Sequence, residues 1–464
     1  MLGAIRARLG ALLPQTADWQ AAKRSPRRDL VAGLTVAVVA LPLALAFGAT
    51  SGLGAEAGIA TAVVAGAVAA IFGGSNLQVS GPTGAMTVVL VPVVHEFGAT
   101  GVLFVGFLSG LLLIALAWGK VGGYVKFLPT PVVEGFTAGI ALVIALQQVP
   151  SALGVAAGDE ERVWQVAFGA LRDYLESPAL APPATALAVC TLMLIGARRR
   201  PGIPFSLLGV VLATIVGAAF HLDLAPIGDL PAGLPAPSLA FIELDAVATL
   251  LPAVIAVTAL AALESLLSAT VADGMSVGEQ HDPDRELFGQ GLANLAAPVF
   301  GGIPATAAIA RTAVNVRAGA GSKLAALFHS VILLLIILVA APLVSEIPLA
   351  ALAGVLLATT VRMVEVSSLR AMAKATRGDA AVLILTFGVT VVFDLVAAVV
   401  VGLGVAALLA LRSVARSVRL EEVELDHGDH SAEERKLLAE HIVAYRLDGP
   451  LFFAAAHQFL LELT

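Results

Sequence analysis

The sequence predicts an all-α polytopic membrane protein with fourteen transmembrane segments, arranged as two inverted repeats of seven. Three observations support this fold class. Of the 464 residues, 58% are hydrophobic and only 13% are charged, whereas soluble domains carry about 25% charged residues. Apolar stretches of about 20 residues, the length that crosses a bilayer, recur along most of the chain. Finally, the same Phe-Gly-Gly triplet precedes a short apolar segment in each half.

The composition also excludes several classes of protein. Too little polar surface is available for an ordinary soluble enzyme, and too few polar residues for a disordered chain. Cys190 is the single cysteine, which excludes an intramolecular disulfide framework. The net charge of -7 argues against nucleic acid as a partner. The 45 glycines favour closely packed helices in a bilayer.

The apolar segments place the helices. They cover residues 30–50, 55–73, 83–97, 100–118, 128–149, 183–197, 204–220, 245–272, 286–300, 306–317, 323–343, 346–362, 380–394 and 395–412. The third and tenth are too short to cross a bilayer alone. Residues 162–175 carry three charged side chains, so we expect an interfacial helix there rather than a span.

The basic residues predict the orientation, because cytoplasmic loops are rich in Lys and Arg. Residues 1–28 are basic, lack the long apolar run of a signal peptide and form the predicted cytoplasmic N-terminal segment. Residues 29–414 form the predicted transmembrane domain. Of the Lys and Arg residues in this domain, only Arg162 and Arg172 are predicted to lie on the outer side. We therefore expect a bacterial inner-membrane protein with both termini in the cytoplasm.

An internal repeat indicates where the functional site lies. Phe72-Gly73-Gly74 precedes segment 3, and Phe300-Gly301-Gly302 precedes segment 10. These segments hold the same place in the two sets of seven. Because seven is odd, the two sets have opposite orientations in the membrane. Matching short, Gly/Pro-interrupted segments are the sequence sign of a transporter's binding site.

The residues between each triplet and its helix predict extended chain. Residues 78–80 precede Gly81-Pro82, so helix 3 should begin near Thr83; residues 304–306 should precede helix 10, which begins near Ala308. Two helix N-termini would then meet at the midplane, where their free N–H groups and dipoles favour an anion. The alternative is that Gly and Pro merely interrupt lipid-packed helices.

Two ionisable residues within the segments stand out as functional candidates. Glu264 lies in segment 8, and a carboxylate in apolar surroundings can take up a proton in the physiological range. Ser268, four residues on, shares its helix face. Arg311 lies in the first turns of segment 10. A structural ion pair between Glu264 and Arg311 is the alternative to a transport role.

Several motifs resemble the SulP (sulfate permease, solute carrier 26) anion transporters, in order along the whole chain. They are the run from Asp29 to Gly48, the stretch from Phe72 to Gly84, the stretch from Glu264 to Met275, and the run from Glu286 to Asn315. The chain looks most similar to the bacterial bicarbonate and dicarboxylate branch.

The resemblance implies a uracil-permease-like fold of seven plus seven helices. Helices 1–4 and 8–11, about residues 29–119 and 245–343, would form a core domain. Helices 5–7 and 12–14, about residues 126–220 and 346–414, would form a gate domain. The anion would lie between helices 1, 3 and 10. At the positions that match the family's anion site, the implied substrate-binding residues of this chain are Phe47, Thr83, Gly84, Ala85, Ala308, Ile309, Ala310 and Arg311.

The coupling ion is a second implication. Sodium-coupled relatives have an acidic residue and a hydroxyl where this chain has Glu264 and Ser268. Their small and hydroxyl-bearing residues on helix 10 correspond to Ala307 and Ile309, and Ile309 offers no side-chain oxygen. This favours a proton over sodium at Glu264. Residues 58–61 are Gly-Ile-Ala-Thr instead of the Gly-Leu-Tyr-Ser run of many members, so sulfate specificity does not carry over.

The C-terminal residues resemble the start of a STAS domain. Residues 415–440 form a predicted cytoplasmic linker, and residues 441–464 resemble the domain's opening strands. We expect a truncated domain, because about twenty residues bury no core of their own. The resemblance also implies a homodimer, formed partly through that domain and the gate helices.

These predictions combine into a secondary active transporter of a small carboxylate or bicarbonate, coupled to protons and moving its core domain like an elevator. The sequence has no nucleophile–base constellation, Walker A loop or metal motif, so no enzyme activity, metal or cofactor is expected beyond the coupling ion, a proton or, as the alternative, sodium. The alternatives are a sodium-coupled bicarbonate symporter, a sulfate/chloride exchanger and a uracil/xanthine-type permease. From another class come an anion channel and a voltage-responsive membrane motor.

Overall fold

The structure, a computed structural model, describes residues 8–24, 26–127, 129–158, 160, 162–200, 203–276, 280–393, 395–416, 419–423 and 444–448. Most of them are helical. In chain order the helices are α1 (residues 8–12), α2 (Thr16–Arg24), α3 (Pro26–Thr50), α4 (Ala55–Phe72), α5 (Gly84–Trp118), α6 (Thr130–Gln147), α7 (Val149–Leu153), α8 (Val163–Glu176), α9 (Ala181–Arg199), α10 (Phe205–Ala219), α11 (Val247–Met275), α12 (Pro283–Val299), α13 (Ile309–Arg317), α14 (Lys323–Ser345), α15 (Leu349–Met363), α16 (Val366–Ala375), α17 (Arg377–Val392) and α18 (Leu395–Arg416). The strands are β1 (Ser80–Gly81), β2 (Thr306–Ala307), β3 (Arg419–Val423) and β4 (Ala444–Asp448).

Within the described ranges, eight helical stretches are long and apolar enough to cross a membrane. The predicted all-α membrane class is therefore confirmed, while the count of fourteen spans stays a prediction. The eight include α5, in which predicted segments 3 and 4 run together with a break at Gly98, where φ is 66°. That left-handed conformation suits glycine, which has no Cβ to clash. A helix, α8, lies at the position predicted for an interfacial helix over 162–175, and its place at the interface stays a prediction. Helices α7 and α16 were not predicted.

Glycines let several of the membrane helices approach one another closely. On α3, a Cβ at Gly33 would collide with the backbone of Ala325 on α14. On α5, a Cβ at Gly110 would collide with the backbone of Gly291 on α12. The helices α3, α4, α5, α11, α12, α13 and α14 consequently form one packed group, whose contacts include α12 with α4 and α5, and α14 with α3 and α4.

A two-residue ribbon joins the two halves of the chain at the centre of this group. β1 pairs with β2 antiparallel, with Ser80 opposite Ala307 and Gly81 opposite Thr306. The N–H of Ala308 continues the ribbon by donating to the carbonyl of Val79 at 3.1 Å. Extended chain thus precedes α5 and α13, as the sequence predicts. Because each strand is buried, the pairing satisfies backbone groups that would otherwise lack partners.

More charged residues are buried than the sequence analysis expected. Lys323, the first residue of predicted segment 11, begins α14 and is 1% exposed; its Nζ donates to the carbonyl of Gly73. Asp29 is fully buried and accepts from the N–H and hydroxyl of Ser322. Burial costs little here because each charge has hydrogen-bonding partners, and such partners cannot be read from spacing along one segment.

The N-terminal helix α2 docks through an ion pair. Asp18 lies 2.5 Å from the guanidinium of Arg285 at the start of α12. Burial alone would raise the pKa of Asp18. The hydrogen bonds from Arg285 and the Gln15 N–H, with the charges of Lys323 and Arg285, instead hold that pKa below its ordinary value.

Little of the C-terminal region is described. β3 and β4 pair antiparallel, with Arg419 opposite Asp448. Most of the predicted linker and of the STAS-like residues 441–464 lies outside the described residues.

Candidate functional site

The N-terminus of α5 is built around Thr83. Thr83 has extended backbone angles, and its Oγ1 accepts from the N–H of Met86 at 3.4 Å, which makes it the N-cap. This cap satisfies one of the first N–H groups of the helix. The N–H groups of Gly84 and Ala85 have no intrahelical acceptor. The helix end therefore presents two donors and a partial positive charge.

The Thr83 hydroxyl also reaches across to α11. It donates to Oε2 of Glu264 at 2.9 Å, and Glu264 is half-buried. A hydroxyl has one proton and two acceptor positions. In this arrangement its proton is committed to the carboxylate, and one of its acceptor positions is filled by Met86. Two residues that the sequence analysis selected separately therefore form one unit.

The second helix end, at α13, opens to solvent. Ala308 is the N-cap, with extended backbone angles and no side-chain cap. Ile309 is 42% exposed, and Ala310 is also exposed. Their N–H groups have no intrahelical acceptor. This end therefore offers donors to an accessible space with little side-chain obstruction.

Apolar side chains close over the first turn of α5. A Cβ on Gly84 would collide with the side chain of Ile144 from α6 and would lie 3.1 Å from Cε1 of Phe47. Phe47 is 7% exposed and belongs to the buried apolar core. The predicted residues Phe47, Gly84 and Thr83 are thus adjacent, and Ile144 joins them.

Arg311 is buried beside the β1–β2 ribbon and is not exposed with the first residues of α13. It is 1% exposed, and its Nη2 donates to the carbonyl of Pro82 at 2.9 Å. Its Nη1 lies against Gly81 and has no hydrogen-bond partner among the described residues. No ion pair with Glu264 within 4.0 Å occurs in the described part of the chain. The predicted structural pair is therefore absent in this conformation, and Arg311 contributes its charge from beneath the ribbon.

Ser268 does not point to the Glu264 carboxylate. It is fully buried, and its hydroxyl donates to Oγ1 of Thr312 on α13 at 3.0 Å. The same Thr312 oxygen accepts from the N–H of Val79 at 3.1 Å. Ser268 thus joins α11 to α13 and to the chain before β1.

A buried set of amides holds the ribbon in place. Asn294 on α12 forms two hydrogen bonds of 2.8 Å with the backbone of Ala305, one to its carbonyl and one from its N–H. Gln290, one turn earlier, donates to Oγ of Ser80 at 2.6 Å. On the other side, the amide of Asn315 donates to the carbonyl of Leu77 at 2.7 Å. Both segments that lead into the helix ends are therefore fixed.

The sequence analysis missed these positioning residues. Glu286, Gln290 and Asn294 recur every four residues, which places three polar side chains on one face of a buried helix. Thr312 and Asn315 share a face of α13 in the same way. Polar residues at helical spacing inside an apolar bundle were the available signal, because such groups must find partners.

Comparison with known proteins agrees with this architecture. The sequence profile described as the sulfate permease family matches residues 27–386. A putative sulfate transporter of Bacillus subtilis, YvdB, is 37% identical over 438 residues, covering 92% of this chain and 81% of the relative. The bicarbonate transporter BicA of Picosynechococcus is 34% identical over 466 residues, covering 93% and 80%.

Solved structures show the same fold. The transmembrane domain of a cyanobacterial bicarbonate transporter, BicA, matches with a TM-score of 0.74 at 33% identity, over 81% of this chain and 97% of that one. The murine Slc26a9 anion transporter matches with a TM-score of 0.81, over 98% and 81% of the two chains. At 16% identity the second match concerns the fold alone.

Proposed function

Because the chain belongs to the sulfate permease family, we propose that it is a secondary active anion transporter. Its substrate is a small carboxylate or bicarbonate, moved across the bacterial inner membrane. The observation that carries the proposal is that the β1–β2 ribbon holds the N-termini of α5 and α13 beside each other, the first buried and the second exposed. Free N–H groups and helix dipoles stabilise an anion without a salt bridge. The relatives are named as a putative sulfate transporter, YvdB, and a bicarbonate transporter, BicA, which supports a small anion as the substrate.

Proton coupling follows from the chemistry of the Thr83–Glu264 pair. When Glu264 is ionised, it accepts the hydrogen bond of the Thr83 hydroxyl and leaves a negative charge beside the anion site. When Glu264 is protonated, its O–H donates to Thr83 Oγ1, which still accepts from Met86. The Thr83 proton then turns to the anion. One proton therefore removes a repulsive charge and supplies a donor, so anion and proton bind together.

The same residues favour a proton over sodium. A sodium site needs several oxygen ligands. Ser268 and Thr312 use their hydroxyls on each other, and Ile309 offers no side-chain oxygen. Glu264 and Thr83 alone leave too few side-chain ligands for a cation.

The movement we propose is an elevator-like shift of a core domain against a gate domain, within fourteen helices that form two inverted repeats of seven. The core comprises α3–α5 and α11–α14; the gate comprises α6, α9, α10, α15, α17 and α18. Extensive packing of α17 against α6 and α18, and of α15 against α9, supports the second group. Across the boundary, Nε2 of Gln148 donates to Oγ1 of Thr50 at 3.3 Å, a contact that must break when the domains move. A homodimer, formed through gate helices and a STAS domain, completes the proposal.

Uptake into proteoliposomes tests this function. Bicarbonate, a C4 dicarboxylate, sulfate and chloride would each be offered with pH and sodium gradients imposed separately. We expect saturable uptake of bicarbonate or the dicarboxylate that an inward proton gradient drives above equilibrium. A non-saturating, ohmic current would contradict a transporter. Accumulation driven by sodium alone would contradict proton coupling.

A further inference from the structure

A surface groove lies along α9, away from the helix ends that form the proposed anion site. It encloses about 740 Å³, within the range of about 300–1,000 Å³ that small-molecule clefts occupy. Its lining from α9 includes Ala184, Ala188, Thr191, Ile195 and Arg199. Their spacing of three or four residues makes one continuous stripe along the helix. Apart from the Thr191 hydroxyl, the stripe is apolar as far as Arg199.

The far end of the groove is shaped by Gly196 and Phe205. A Cβ on Gly196 would lie 2.5 Å from Cγ and Cδ1 of the Phe205 ring, closer than real contacts allow. Glycine at this position therefore lets the ring of α10 pack flat against α9. The small side chains of Ala184 and Ala188 keep the rest of the stripe open. The resulting groove runs along the helix beside small and apolar side chains.

Two arginines stand where the apolar stripe ends. Arg199 is in the last turn of α9 and Arg200 is its C-cap; both are exposed and both line the groove. Neither has an ion-pair partner within 4.0 Å among the residues the structure describes. The groove thus combines an apolar body with a cationic mouth at one end of a membrane helix. A ligand that matches both parts has a hydrocarbon tail and an anionic head.

We propose that this groove binds one anionic phospholipid of the surrounding bilayer. An acyl chain lies along the stripe, and the phosphate of the headgroup is held by Arg199 and Arg200. Clusters of basic side chains at the end of a membrane helix bind such headgroups, and Arg199 and Arg200 supply two positive charges at the end of α9. The lipid then sits on a gate helix of the proposed transporter. The binding itself does not depend on which anion is carried.

A second copy of the chain is the rival occupant of this face. A dimer with its axis along the membrane normal brings equivalent residues together at the same depth. The Arg199–Arg200 pairs of two copies would then approach each other, and like charges oppose that contact. The negative headgroup of an anionic lipid would instead attract these arginines.

Native mass spectrometry of the full chain tests the proposal. Detergent micelles would carry phosphatidylglycerol or phosphatidylcholine with identical acyl chains. We expect the wild type to retain phosphatidylglycerol preferentially, and the double variant Arg199→Gln, Arg200→Gln to lose roughly fivefold in retention per arginine. Arg198→Gln is the matched control, because Arg198 is exposed but does not line the groove; its retention should equal the wild type.

Two further measurements separate the alternatives. Ala188→Phe fills the groove and should reduce retention while the arginines stay in place. Equal retention of the two lipids by the wild type, or an equal loss in Arg198→Gln, would overturn the proposal. Efficient disulfide cross-linking in liposomes between two chains carrying Ala188→Cys in a Cys190→Ser background would assign the face to a second copy instead. Melting temperatures of all variants show whether each has folded.

Discussion

The hydroxyl of Thr83 donates to Oε2 of Glu264 at 2.9 Å, so the residue that caps α5 also holds the carboxylate of α11. A change in the protonation of Glu264 therefore changes the hydrogen bond of Thr83 at the start of α5. No rearrangement of backbone is needed to pass it on. The first two predictions follow from this pair.

Glu264→Gln should abolish accumulation driven by a pH gradient and leave anion exchange at equilibrium intact. The Gln amide donates permanently to Thr83, as a protonated Glu264 would, so the anion binds without a proton. Proteoliposome uptake with and without a pH gradient measures both activities. Glu243→Gln, at an exposed position, should behave like the wild type. Unchanged gradient-driven uptake in Glu264→Gln would eliminate the proposed proton site.

Thr83→Phe should block transport sterically, because position 83 lies at the helix end beside Gly84 and Phe47. Thr83→Ser keeps both the cap and the donor and should retain most activity. Thr83→Val keeps the shape but loses the cap, at a cost of about 1 kcal/mol in stability, together with the donor to Glu264. Uptake and thermal melting distinguish these effects. Wild-type uptake by Thr83→Phe would mean that the start of α5 does not line the pathway.

Asn294→Ala should destabilise the protein by about 2–4 kcal/mol, because it leaves the buried N–H and C=O of Ala305 without partners. Since β2 loses its anchor, transport should fall further than expression does. Thermal melting of the purified protein in detergent measures the loss. Thr214→Ala, whose hydroxyl only bonds its own helix at Val210, is the control and should change stability by less than about 0.5 kcal/mol. Equal melting of the two variants would refute the anchoring role.

Docking of α2 should weaken in acid. The pKa of Asp18 is lower in the folded protein than its ordinary value, so folding favours the ionised form. Its stabilising contribution is complete above the ordinary aspartate pKa and is lost as the pH falls through the folded value. Hydrogen exchange in α2 should therefore rise at acidic pH, after correction for the intrinsic rate.

Asp18→Asn supplies the comparison for this pH effect. The variant should show raised exchange in α2 already at neutral pH and little further change in acid. Asp245→Asn, at an exposed position, should follow the wild type at every pH. An acid response in Asp18→Asn equal to that of the wild type would assign the effect to another group.

The positions of the helix ends were predictable because their signals are local. Gly81-Pro82 excludes a regular helix before Thr83, and the duplicated Phe-Gly-Gly points to the equivalent break in the second half. The predicted starts near Thr83 and Ala308 coincide with the observed N-caps. Local sequence chemistry decides where a helix begins, whatever the rest of the fold does.

Contacts between distant residues were not predictable in the same way. Nothing in segment 1 shows that Asp29 accepts from Ser322, and nothing in segment 8 shows that Glu264 faces Thr83 instead of Arg311. Helical spacing gives the face on which a residue lies but not the helix that it meets. The side-chain hydroxyls and amides choose among several nearby partners only after the helices have packed.

The β1–β2 ribbon has a consequence for biosynthesis. Ser80 leaves the ribosome more than two hundred residues before Ala307, its partner in the ribbon, a delay of roughly 10 to 45 s at 5–20 residues per second. During that time the backbone groups of Ser80 and Gly81 have no strand to pair with, and lipid offers no substitute. These two residues must therefore be kept from the hydrocarbon core, by the insertion machinery or by water, until the second half arrives.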